Sequence, residues 1–171
     1  MQLGLTWPLQ RYLRVSVPYG APAPLAQCWD LHRIMLHGRA SLLMVHCASR
    51  YTCVRFDMTS ADWADLRQTA LEEIHQGLLD AGLESEQVIA YLSAAGKPVL
   101  TRTHGRRPVA FLNRAWEDVL AADLLVDQSG QRQPLLNSAV NDRLCRCAGF
   151  DGQDTALNFL RRCFSEERNI P

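Results

Sequence analysis

Apolar positions change their spacing twice along the chain. From Trp29 to Met58 they come as short runs, "RIML", "SLLMVH" and "TCVRFDM", broken by "HGRA" and "CASRY". Short runs with turn residues between them predict an antiparallel meander, with His37-Gly38-Arg39 at a hairpin tip. In the last run Val54, Phe56 and Met58 alternate with Cys53, Arg55 and Asp57, which predicts one packed face and one solvent face. After Thr59 the period becomes helical. Thr59 and Asp62 have the spacing of a capping box, Trp63, Leu66, Ala70, Ile74 and Leu78 follow on one stripe, and Gly82 is a stop. A second helix is expected in "SEQVIAYLSAAG", with Ser85 as its cap and Gly96 as its stop. A third opens near Pro108, with Val109, Leu112, Trp116, Val119 and Leu120 on one face.

The flanking segments complete the outline. "LGLTWPLQRYL" reads as a strand turning into a helical turn after Pro8, and "VPYGAPAPLAQ", with three prolines and a glycine, as a loop. "KPVLTRT" reads as a strand. From Leu135 to Phe164 short helical pieces flank the turn "GFDGQD". Strands that precede helices, without regular alternation, argue for an α+β fold: an antiparallel β-meander sheet packed by helices, with a helical C-terminal tail. At 171 residues the expected organisation is one domain over 1–171, with an α+β core at 1–125 and a helical extension at 126–171.

Composition narrows the partners. The 18 basic and 18 acidic residues cancel, so no whole-molecule field draws the chain to nucleic acid or membrane, and nucleic acid could be held only through a local arginine patch. Lys97 is the one lysine; the other basic residues are arginines. No run approaches the ~18 apolar residues of a membrane span, and there is no secretory leader pattern, so the expected location is the cytoplasm. The six cysteines are expected to be free, mostly buried thiols.

The most specific local constellation is "TRTHGRRP". Arg102, His104, Arg106 and Arg107 surround the expected helix start, where free backbone N–H groups and the helix dipole favour an anion. These four residues form the candidate partner- or anion-binding site. Trp29, His32 and Tyr51 are a candidate groove. His32, His37, His46, Cys28, Cys47 and Cys53 crowd the first third, and Cys47 and Cys53 flank a hairpin loop where they could face each other. The absence of C-x-x-C, H-E-x-x-H and H-x-x-E-H leaves no metal expected, and neither G-x-S-x-G, a Walker A loop nor G-x-G-x-x-G is present. No catalytic residue and no cofactor is assigned.

"LGLTWPLQRYL", "CWDLHRIMLHGRASLLMVHCASRYTCVRFDM", the long helix after it and "VLTRTHGRRPVAFLNRA", with Arg107 and Asn113, together resemble the plasmid-borne ORF-three-like proteins and their domain-of-unknown-function relatives over residues 1–125. The resemblance implies a compact α+β domain and a mobile-element setting, and carries no catalytic residues over. The expected function is a non-enzymatic protein-binding regulator or inhibitor, antitoxin-like or directed against a host defence complex in the anti-CRISPR manner. Its partner would be another protein, or a second copy of the chain. The alternative is an enzyme acting on a phosphate-containing ligand, a nucleotide or an RNA, using His104 with Arg102, Arg106 and Arg107 as a phosphate clamp.

Overall fold

The computed structural model describes residues 1–166; the end of the expected C-terminal extension, 167–171, lies outside the described residues. The meander forms as expected, from β2 (Cys28–Leu36), β3 (Arg39–His46) and β4 (Thr52–Arg55). His37 and Gly38, with φ of 47° and 75°, make the two-residue turn between β2 and β3, since a turn matched to the strand twist needs positive φ at both central positions.

The sheet is mixed rather than purely antiparallel. β1 (Gln2–Leu5) runs parallel to β2 on one side and to β5 (Val99–Arg102) on the other, giving the order β4-β3-β2-β1-β5. Helix α1 (Trp7–Leu13) follows β1 directly, with Pro8 in its first turn. Parallel pairing requires a crossover, and α1 with the proline loop supplies it between β1 and β2.

Helices cover both faces, which corrects the expectation that one face of β4 sees solvent. Leu3, Leu5, Trp29, Leu31, Leu42, Met44 and Cys53 face α3 (Leu66–Asp80), α4 (Ser85–Ala95) and α7 (Ala156–Glu166) in one core. Ile34, Leu36, Leu43, Val45, Val54 and Phe56 face α5 (Arg106–Leu120) and α6 (Pro134–Asn141) in the other. The residues after 125 therefore build both cores. They also add a small sheet of β6 (Leu144–Cys145) and β7 (Asp154–Thr155).

The helix expected from Thr59 onward is split. Thr59 and Asp62 form the capping box of α2 (Ser60–Ala64), and Asp65 then caps α3 afresh, its carboxylate accepting from Gln68 N–H. The α4 cap is Glu84, one residue before the expected Ser85, and Gly96 ends that helix with φ 67°. Gly105 rather than Arg107 precedes α5, which places Pro108 in the first turn where its missing N–H costs no helical bond.

The β4 edge is closed, and the β5 edge is capped at its carboxyl end. On β4, the Asn141 side chain accepts from Thr52 N–H and donates to Thr52 C=O, while Asn137 accepts from Val54 N–H. Phe56 N–H donates to Gln131 C=O beyond them. At β5, Arg102 N–H donates to Pro18 C=O from the proline loop. An open strand edge is a template for pairing with other chains, and along β4 side chains and the Gln131 backbone occupy it.

Glu73 sits 2 % exposed under β4, with one carboxylate oxygen lacking a hydrogen bond and Arg55 at 3.7 Å. Burial pushes its pKa up to about 7, against the pull of Arg55 and Arg132 and with the help of Asp80. The fold thus holds a proton that the unfolded chain gives up in the ordinary carboxylate range, so this group's contribution is full in acid and lost as pH rises through about 7. Glu73→Gln is expected to match wild type near pH 5 and to exceed it at pH 8.5 by about 2–3 kcal/mol in urea unfolding. Equal differences at the two pH values would contradict a protonated Glu73.

Candidate functional site

The loop between β5 and α5 has an inner and an outer side, and the chemistry differs between them. On the inner side, strand alternation puts Gln2 and Gly4 of β1, Cys28 and Asp30 of β2, and Thr101 of β5 on one sheet face, because Gly4 pairs with both Asp30 and Thr101. Gly4 has no side chain, so His104 folds back across β1 and reaches Asp30 on the strand beyond. A Cβ on Gly4 would overlap Asp30 Oδ1 and lie 2.9 Å from His104 Nδ1.

His104 is held at both ring nitrogens and at its backbone N–H. Nδ1 is 2.7 Å from Asp30 Oδ1, Nε2 is 3.1 Å from Gln2 Oε1, and the backbone N–H donates to Asp30 Oδ1 at 3.3 Å. The Gln2 amide nitrogen donates to Ala21 C=O at 2.6 Å, which turns the amide oxygen toward the imidazole and makes Nε2–H the donor. Burial by itself would lower the His104 pKa, but the Asp30 hydrogen bond, with contributions from Cys28, outweighs it and holds the ring up at about 9. Cys47, just past β3, places its Sγ 3.5 Å from the same Nδ1. Burial first, and then the charge of Asp30, pushes this thiol well above its usual range.

That geometry bears on two kinds of chemistry. A Cys-His-Asp relay needs the thiol and the carboxylate on opposite ring nitrogens, whereas Cys47 and Asp30 both address Nδ1. Acid–base work on a ligand needs a ring nitrogen open to it, and both are engaged here.

The outer side is open. Leu5, Trp7, Gln10, Tyr19, Arg102, Thr103, Gly105, Arg106 and Val109 line a pocket of about 400 Å³ at the carboxyl ends of β1 and β5 and the start of α5. Trp7 is 67 % exposed and Tyr19 75 %. The Arg102 guanidinium lies 4.6 Å from the Tyr19 ring centre, and its Nε donates to Val17 C=O. Arg106 is exposed on the first turn of α5.

The four loop residues named from the sequence therefore part. Arg102 and Arg106 share the pocket, His104 lies inside, and Arg107 reaches away to donate to Cys147 C=O at 3.2 Å. Trp29, His32 and Tyr51 do not form a groove. Trp29 is fully buried and donates to Tyr91 OH, Tyr51 is buried against Gly77 C=O, and His32 bonds Thr6 on the opposite face beside Trp116. Helices on both faces take these rings into the cores. Cys47 and Cys53 are also apart: Cys53 lies opposite Met44 in the ladder, while Cys47 N–H donates to Cys28 C=O. The other histidines scatter, His37 to Asp123 C=O and His46 between Ser49 and Ala26.

The sequence reading passed over Asp30, Gln2, Gly4, Trp7 and Tyr19. Asp30 carried a signal, an acidic residue flanked by Trp29 and Leu31 in β2, and Gly4 another, a glycine in the middle of a short strand.

The fold and site define a small α+β domain with a buried Asp-His-Cys cluster behind an arginine- and aromatic-lined pocket. The chain belongs to a family of domains of unknown function, DUF6933, whose profile matches residues 2–154. That match runs past residue 125 and takes in α6 and β6, ending at the first residue of β7. No curated protein matches the chain. Among the described residues, no helix is long and apolar enough to cross a membrane.

Proposed function

We propose that the protein is a non-enzymatic binding module that takes an acidic segment of another protein into the pocket lined by Trp7, Tyr19, Arg102 and Arg106. The observation that carries this reading is the joint exposure of two large aromatics and two arginines around one cavity of about 400 Å³. Trp, Tyr and Arg are the residue types that dominate interface energetics, and the arginines and the α5 N-terminus select for negative charge. Strand addition at β4 is blocked, because that edge is closed; the reading rests on the pocket.

The mode of action is occupancy, as for a regulator or inhibitor of the antitoxin or counter-defence type. The resemblance of residues 1–125 to plasmid-borne ORF-three-like proteins supports that setting, and the buried thiols of Cys28, Cys47, Cys53, Cys145 and Cys147 are consistent with the cytoplasm. The alternative, a phosphate-directed enzyme, has less support, since His104 is not among the residues lining the pocket.

A fluorescent Glu/Asp-rich peptide, titrated by polarisation at low and high salt, tests the reading. Wild type is expected to bind, more weakly as salt rises. Arg106→Glu and Trp7→Ala are each expected to weaken binding by about tenfold to thirtyfold, while their unfolding midpoints stay at the wild-type value because both sites are exposed. Equal binding by wild type and both variants, or none by wild type, would overturn it.

A further inference from the structure

We propose that Asp30, Cys47 and His104, with Cys28 beside them, form a site for one divalent transition-metal ion of the zinc class. The carboxylate oxygen, the thiol sulfur and the ring nitrogen all lie within 4.8 Å of one another. They come from three places far apart in sequence: β2, the turn after β3 and the loop after β5. Three donors of different chemistry aimed at one point is the arrangement of coordination. A buried ion pair needs only Asp30 and His104, and leaves unexplained a thiol on the same nitrogen.

One donor spacing already fits a tetrahedral ion. With ligand bonds of about 2.0–2.3 Å, neighbouring donors stand roughly 3.3–3.8 Å apart, and Cys47 Sγ to His104 Nδ1 is 3.5 Å. Asp30 Oδ1, now hydrogen-bonded at 2.7 Å, would move away by about 0.5–1 Å to the same spacing. Cys28, fully buried and facing Cys47 across the ladder, lies close enough to interact with His104 and supplies a fourth donor. A mixed sulfur, nitrogen and oxygen set of this kind suits zinc or cobalt(II) rather than calcium or magnesium.

Two further features prepare the site. A metal-bound imidazole usually donates its other N–H to a carbonyl or carboxylate, which fixes the ring; here Nε2–H donates to Gln2 Oε1, and Gln2 is anchored on Ala21. Charge is also conserved. The metal-free cluster holds an imidazolium, a carboxylate and a neutral thiol. Binding places the ion on Nδ1 and Sγ and releases the Nδ1 proton and the Cys47 proton to solvent. For Asp30, Cys47 and His104 alone, one dication thus replaces two protons with no gain of net charge; a Cys28 thiolate as fourth ligand releases a third proton and leaves the site with one negative charge. The ion would tie the β5–α5 loop to β2 and β3, and this role is independent of whether the outer pocket takes an acidic partner.

Cobalt(II) titration of the chelator-treated full chain tests the site. One equivalent is expected to bind, with a sulfur-to-cobalt charge-transfer band, tetrahedral d–d absorption, and displacement by zinc. Cys47→Ser and His104→Gln are expected to lose the tetrahedral spectrum, and Gln2→Leu to keep it with affinity lower by about tenfold to a hundredfold. Should the ligand variants fail to fold, the wild type still decides: zinc is expected to raise its unfolding temperature and a chelator to reverse the rise. No charge-transfer band and no zinc-dependent shift would overturn the proposal. So would a spectrum unchanged in Cys47→Ser, or one lost only when Cys145 and Cys147 are replaced.

Discussion

Gly4→Ala is expected to destabilise the fold by about 3 kcal/mol, the upper end of the range for forcing one methyl group into a packed interior. In a chain of 171 residues this corresponds to a fall of roughly 6–12 °C in the unfolding temperature. The added methyl would overlap Asp30 Oδ1 and approach His104 Nδ1 and the Thr103 backbone at 2.9 Å. None of these is a free side-chain end that can swing clear: Asp30 is 1 % exposed, and Thr103 contributes main chain. Relief requires the Asp30–His104 pair to separate, which strands a buried charge on each side. Calorimetry of the two proteins is sufficient. A shift below about 1 °C, well under that scale, would mean that His104 does not cross β1.

Removing the cover of the opposite edge is expected to have a comparable effect by another route. Asn137→Ala combined with Asn141→Ala leaves Thr52 N–H, Thr52 C=O and Val54 N–H without the partners they have now. Each buried backbone group so orphaned costs about 1–3 kcal/mol, so the double variant is expected to lose about 4 kcal/mol of a total that is typically 5–15 kcal/mol. The exposed β4 edge then offers its donors and acceptors to another molecule. Urea unfolding should show an earlier midpoint, and light scattering should show concentration-dependent association absent from wild type. A variant with unchanged midpoint and unchanged mass would show that the asparagines decorate the edge without closing it.

Local chemistry was readable from the sequence where a few neighbouring residues decide the outcome. Thr59 and Asp62 cap α2, His37 and Gly38 make the turn, and Gly96 ends α4, because each depends on backbone conformation within one turn of chain. What depended on distant neighbours was misplaced. Trp29 and Tyr51 alternate with polar residues as groove-lining residues do, and only the helices laid over both faces make them core. Aspartate at position 65 restarts a helix whose apolar stripe gave no sign of a break. The site was half legible. Of the "TRTHGRRP" stretch, Arg102 and Arg106 share a pocket. Yet the residues that make His104 an interior group, Gln2, Gly4 and Asp30, reach it only through parallel pairing of β1 with two strands, which no local pattern announces.

That central position of β1 also sets the order in which the molecule can be assembled. β2, β3 and β4 are joined by short turns and can zip together as soon as they leave the ribosome, since closing small loops costs little. β1 cannot finish with them: Leu3 has to meet Trp29 on one flank and Leu100 on the other. A nascent chain that has not yet exposed β5 carries a finished three-stranded hairpin beside a strand with one bare side. The last event in building the sheet is the docking of β5 onto that side, and it brings His104 over Gly4 at the same moment. Completion of the five-stranded sheet and completion of the buried cluster are one step.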